Sequence, residues 1–309
     1  IRHPDLTSMN PSRLSQHLNN YVWLPLLGYA IGLTAFPAVA QSNPKAAGYY
    51  EDALVRFEKK DMPGAIIQLK NALQIDPNML PVQLLMGKAL LRNGEVAAAE
   101  VAFNEALRLG VNRAEVVVQL GQAMLAQGKH KTVLEKNTFA VAGLPPGVQL
   151  QVLLLRASAQ TDIGEPVAAL KSIDDARAID KRNVEVWLAE VPIRIRARQF
   201  REAAAAADTA LTLMPESAEA MYQKGSAAHV QGELKGALTA YDRALQIDKA
   251  HVEARVARMG IAMDQSRFDD AKKDVAELQK IAPNEPRSAY MKALLAEQDG
   301  DLDTSRAAL

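Results

Sequence analysis

The sequence predicts an all-α protein, a solenoid of antiparallel helix pairs about seven and a half repeats long. Three observations carry this. One small residue recurs as Ala65, Ala99, Val133, Ala169, Ala203, Ala237, Ala271 and Ser305, with steps of 34 broken once by a step of 36. Between these anchors the apolar residues fall three and four apart, which is the helical period. Turn formers punctuate each unit: Gly94, Gly128, Gly164, Gly232 and Gly300 stand five residues before an anchor, and Pro77, Pro145, Pro215 and Pro283 close four units. One helix pair cannot bury both its faces, so successive pairs must stack.

The rest of the composition sets limits. The 309 residues carry 36 Lys and Arg against 36 Asp and Glu, so no basic excess marks a nucleic-acid partner. Cysteine is absent, which removes disulfides, zinc–thiolate sites and a thiol nucleophile. Aromatics are 5% of the chain, so the core must be aliphatic.

Taken in order, residues 1–8 read as an upstream segment, because the first methionine is Met9. Residues 9–40 read as a secretory signal peptide. Arg13 and His17 precede an apolar run from Tyr21 to Phe36, and Pro37-Ala38-Val39-Ala40 supplies an A-x-A cleavage site. The run contains Pro25 and is shorter than the about 20 residues that a membrane span requires. The expectation is an exported protein, periplasmic in a Gram-negative cell; the alternative is an inner-membrane anchor through an uncleaved segment. Residues 41–46 form a linker, and 47–309 the repeat array.

Within the array a second ladder, Ala72 to Leu278, runs seven residues after the anchors. A third runs twelve before them: Ala53, Gly87, Gly121, Ala157, Val191, Gly225, Met259 and Ala293. In the second unit the helices are expected at 81–92 and 96–109, with Gly94 between them. Gly87 and Ala99 mark where two helix axes approach, and Phe103 is expected to fill the gap between neighbouring pairs. The third unit departs: Val133 is its anchor, Asn137 stands in the aromatic slot, and a Pro/Gly-rich junction at 142–147 adds two residues, so a looser joint is expected. Pro192 falls mid-helix and should kink it. The sequence stops inside the second helix of the eighth unit, and we expect it to be a fragment of a longer protein.

This ladder resembles the tetratricopeptide repeat. Trp187 opens one unit, Leu120-Gly121 and Lys224-Gly225 fall at the motif's Leu-Gly pair, and Phe103 and Tyr241 hold its large residue. The resemblance implies a right-handed superhelix whose first helices line a concave, partner-binding face. Residues 46–77 and 84–110 are moreover similar to the repeat protein of bacterial PEP-CTERM/exosortase systems, found beside exopolysaccharide machinery. Many of its members look like lipoproteins; with no cysteine in this sequence, anchorage by that route is not expected.

Chemical motifs are lacking. No phosphate-binding glycine loop, dinucleotide fingerprint, zinc-protease motif or nucleophile elbow occurs. No catalytic residue, metal ligand or cofactor is expected. His130, His229 and His251 have no mutual metal-ligand spacing; His229 reads as a polar groove residue. Asp174-Asp175 and Asp269-Asp270 read as solvated second-helix faces. Arg194, Arg196, Arg198 and Arg201 read as a solvated helix end, or as a patch for an acidic partner.

Helical spacing on the first helices then selects the partner-binding candidates: Tyr50, Leu84, Lys88, Leu91, Gln122, Leu125, Ser158, Tyr222, Ser226 and His229. Leu54, Val118, Leu154, Leu188, Ile195, Val256 and Tyr290 share the spacing. An aliphatic face of this kind suits a peptide or an amphipathic helix of a protein partner. The function expected is therefore a non-enzymatic protein-binding scaffold in envelope or exopolysaccharide assembly. The alternative is the N-terminal repeat region of a larger enzyme or outer-membrane export protein.

Overall fold

The computed structural model describes residues 43–308. The expected leader at 9–40 and the segment 1–8 lie outside the described residues. The described chain is helical throughout and divides into two units, one ending at Ile179 and the other beginning at Asp180.

The first unit contains α1 (Pro44–Glu58), α2 (Met62–Ile75), α3 (Leu80–Arg92), α4 (Val96–Arg108), α5 (Val117–Ala126), α6 (His130–Glu135), α7 (Pro146–Asp162) and α8 (Pro166–Ile179). Consecutive helices pack as pairs, and each pair packs on the next. Helix α1 takes in 44–46, the last residues of the expected linker, because the Asn43 side chain caps it and Pro44 suits a first helical position. The Asp61 carboxylate likewise accepts from the Gly64 N–H at 3.0 Å and starts α2.

The small-residue ladder is a packing device. A Cβ on Gly87 would lie 2.6 Å from Phe103, whose side chain is fully buried in the same pair, so the aromatic fills the gap within a pair rather than between pairs. In the third pair the aromatic slot is filled from elsewhere. Helix α6 stops after six residues, a 3₁₀ turn follows at Asn137–Phe139, and Phe139, not Asn137, inserts against Gly121. The irregular turn shifts the register by the two residues that separate Asn137 from Phe139. Its carbonyls are gathered by Arg113, whose Nη1 donates to Asn137 O (3.2 Å) and Ala140 O (2.9 Å), and whose Nη2 donates to Ala142 O (2.8 Å). The expected looser joint is thus tied down by one guanidinium.

The second unit contains α9 (Val184–Arg196), α10 (Phe200–Leu213), α11 (Ala218–Val230), α12 (Leu234–Ile247), α13 (Val252–Asp264), α14 (Phe268–Ile281), α15 (Pro286–Gln298) and α16 (Leu302–Ala308). Gly225 against Tyr241 repeats the Gly87–Phe103 contact, with ring carbons 2.5 and 2.6 Å from a Cβ built there. Helix α9 runs through Pro192 without interruption.

The turn five residues before each anchor is left-handed. Gly94 (φ +81°) and Gly232 (φ +79°) adopt it freely, whereas Lys60 (φ +62°), Arg198 (φ +58°) and Ser266 (φ +56°) adopt it with a side chain. Arg198 therefore belongs to a turn, while Arg194 is held by Glu190 (2.9 Å) and Gln199. Arg196, Arg198 and Arg201 are exposed around that turn.

One ionic knot replaces apolar packing in the second unit. Asp274, 3% exposed, accepts from Arg255 Nη1 at 3.1 Å and from Arg258 Nε at 2.9 Å, and Arg258 Nη1 reaches Asp242 at 2.7 Å. This ties α12, α13 and α14 together. The polar cleft beside it, about 320 Å³, is lined by Asp242, Arg258, Arg267, Asp270 and Lys273, which pair among themselves.

Candidate partner-binding faces

In each unit adjacent first helices touch: α1 with α3, α3 with α5 and α5 with α7, then α9 with α11 and α11 with α13. That contact places them side by side, so the residues they turn away from the second helices form one face per unit.

On the first unit's face Tyr50, Leu84, Lys88, Leu91, Gln122 and Ser158 are all half-buried, as are Leu54, Val118 and Leu154. Leu125 is not on this face. It is 4% exposed and belongs to the core, although it holds the same repeat position as Leu91. The shortened third pair brings Phe139, Leu144 and Val148 into the cluster that encloses it. Lys88 sits among the aliphatic side chains; burial lowers its pKa, Glu115 opposes that shift, and Arg92 adds to it. Among the described residues no carboxylate lies within ion-pair distance of its ammonium. Arg92 lies 4.2 Å over the Phe57 ring, a cation–π contact at the rim. Burial also raises the Tyr50 phenol.

On the second unit's face Tyr222, Ser226 and His229 are half-buried and close together. The Tyr222 ring is 5.9 Å from Tyr241, and His229 meets Tyr241 edge-on at 6.4 Å. Burial pushes the Tyr241 phenol up to about 12, against a hydrogen bond to Ser226, and raises Tyr222 still further, with Glu219 adding to the shift. Burial pushes His229 down while Asp264 partly offsets it. Ile195 and Val256 are half-buried, Tyr290 is 40% exposed, and Leu188, at 8%, is core.

Sequence reasoning missed what borders Tyr222. His251 is a buried imidazole 5.3 Å from the Tyr222 ring, with Glu219 and Glu253 against its two nitrogens. The signal was present: Glu185, Glu219 and Glu253 recur with the 34-residue step at the start of successive first helices. Among the described residues no group of His, Asp and Glu could hold a metal ion, and no helix is long and apolar enough to cross a membrane.

Comparison with known proteins gives one family. Two models, both described as tetratricopeptide repeat, match residues 188–251 in one case and 46–117 with 228–297 in the other. A curated relative, the DnaJ homolog subfamily C member 7 homolog of Schizosaccharomyces pombe, is 25% identical over 175 residues, or 52% of this chain; the chain spans 36% of that relative's length. Yeast Tom70 superposes with a TM-score of 0.66 at 13% identity, over 96% of this chain and 67% of that one. The anaphase-promoting-complex assembly Cut9-Hcn1 gives 0.54 at 13% identity, over 85% of this chain and 48% of that one. The structural likenesses speak for the fold, and since the repeat models together span more than half of the sequence, the chain belongs to the tetratricopeptide-repeat family.

Proposed function

We propose that this tetratricopeptide-repeat chain is an exported scaffold that holds a peptide or helix of a protein partner on the inner faces of its helix pairs. The observation that carries the reading is the first unit's face. There Leu84, Leu91 and Val118 are half-buried but not enclosed, and Lys88 stands between them, facing Glu115 but with no carboxylate within ion-pair distance among the described residues. Apolar anchors with one buried-rim cation suit an amphipathic segment that brings its own acidic group. The family's repeats bind protein or peptide partners, and nothing in this site requires a cofactor. Tyr50, Gln122, Ser158, Tyr222, Ser226 and His229 extend the proposed contact surface.

Export and a role in envelope or exopolysaccharide assembly rest on the leader-like segment 9–40 and on the similarity of 46–77 and 84–110 to the exosortase-associated repeat proteins. The test is photo-crosslinking in the native host, with the probe replacing Lys88 or Gln122 and a control probe at Asp175, which is exposed on α8. A discrete product from the face positions alone, identified by mass spectrometry as a cell-envelope protein, is expected. Equal crosslinking from Asp175, or no product from the face, overturns the binding assignment; a cytosolic partner overturns the location.

A further inference from the structure

His251 stands where two repeats meet at the edge of the Tyr222 patch. It precedes α13 as its N-cap, and the Ala254 N–H donates to its Nδ1 at 3.3 Å. That donor fixes the neutral form: the imidazole proton is on Nε2, which faces Glu219 Oε2 of α11 at 3.3 Å. Glu253 Oε2 of α13 lies 3.6 Å from Nδ1. The other groups around it are Tyr222 on α11, Asp248 at the end of α12 with Tyr241 behind Tyr222, and Arg287 on α15, which is held by Glu285 and faces Glu253 and Tyr222.

We propose that His251 is a pH-sensitive staple between the repeats that carry α11 and α13. Protonation adds a hydrogen to Nδ1. That nitrogen can then no longer accept from Ala254 and turns its new N–H toward Glu253, while Nε2–H stays on Glu219. The site exchanges a helix cap for an imidazolium held between two carboxylates from neighbouring repeats. Burial alone would lower the histidine's pKa; Glu219, Glu253 and Asp248 reverse this, and the folded value lies above the ordinary 6.5. The stabilisation is therefore fully present below pH 6.5 and is lost as pH rises through the folded value. Because Tyr222 packs on the imidazole, the staple acts on the rim of the second unit's binding face.

The test is an NMR titration of the imidazoles in the full chain, with the His251 signal assigned by its loss in His251→Asn. The expected midpoint of His251 lies above 6.5, whereas that of His229, lowered by burial, lies below. Glu219→Gln keeps an acceptor for Nε2 but removes the charge, and lowers the His251 midpoint. Amide exchange at Ala254, corrected for intrinsic rates, speeds up as His251 protonates, since its acceptor is withdrawn. Asn is itself a good N-cap, so the melting-temperature deficit of His251→Asn shrinks from pH 5 toward pH 8. A His251 midpoint at or below 6.5, or Ala254 protection unchanged across the titration, overturns the staple; either is read on the wild-type chain even if a variant fails to fold.

Discussion

Replacing Gly87 by alanine tests whether the glycine ladder is a packing requirement. In an unconstrained helix the change is favourable by about 0.5–1 kcal/mol, since glycine gives up more backbone freedom on folding. Here the added methyl would sit 2.6 Å from two ring carbons of Phe103. Unstrained carbon contacts lie at about 3.5–4.0 Å, so an angstrom of room is missing. The ring cannot swing away, because Phe103 is 0% exposed and packed on every side. Overpacking of this kind costs about 1–3 kcal/mol. The balance is a net loss of up to about 2.5 kcal/mol. Gly260 is the internal control: it also lies within a helix, but a Cβ there meets nothing within 4 Å. Gly260→Ala is expected to gain about 0.5–1 kcal/mol. The assay is urea unfolding of the full chain, comparing midpoints at unchanged slope. The double variant Gly87→Ala/Phe103→Leu should recover part of the loss relative to Phe103→Leu alone. If Gly87→Ala and Gly260→Ala shift the midpoint equally and in the same direction, close approach is not why glycine stands at position 87.

Three further predictions follow from particular contacts. Asp274→Ala leaves Arg255 and Arg258 without their shared carboxylate and should cost about 3–5 kcal/mol, read as a fall in thermal midpoint; a drop below about 1 kcal/mol would mean the arginines repair themselves through Asp242 and water. Arg198→Gly relieves a side chain from a left-handed turn and should stabilise by about 1 kcal/mol, whereas the same change at Arg201, inside α10, should destabilise by a similar amount. Leu125→Asp buries a carboxylate in the core and should abolish cooperative unfolding, while Leu91→Asp should leave the circular dichroism spectrum intact and weaken partner capture; matching behaviour of the two would erase the distinction between core and face.

Much of the fold was legible because it is repetitive. A pair of helices that must bury a face against its neighbour needs small residues at the same two heights in every unit, and this leaves a 34-residue trace that no single helix would show. The outcome is helical pairs from Pro44 onward, with the glycines of the third ladder set against Phe103, Phe139 or Leu155, and Tyr241. The face was less legible. Leu91 and Leu125 occupy equivalent positions and are the same residue, yet one is half-buried and the other enclosed. What separates them is the second half of Leu125's own pair, where a six-residue helix and a 3₁₀ turn bring Phe139 and Leu144 inward.

The sequence by itself determined the helix pairs, their order and their ladder of close contacts, because local spacing and turn chemistry act within about forty residues. Only the tertiary structure decided that Arg113 gathers the carbonyls at 137–142, that Asp274 knots three helices, and that His251 faces both Glu219 and Glu253. Each joins a side chain to groups far from it in sequence or on another element, at distances set by how neighbouring helices are rotated against each other. Periodicity says which residues share a stripe; the packing of the next pair decides what that stripe touches.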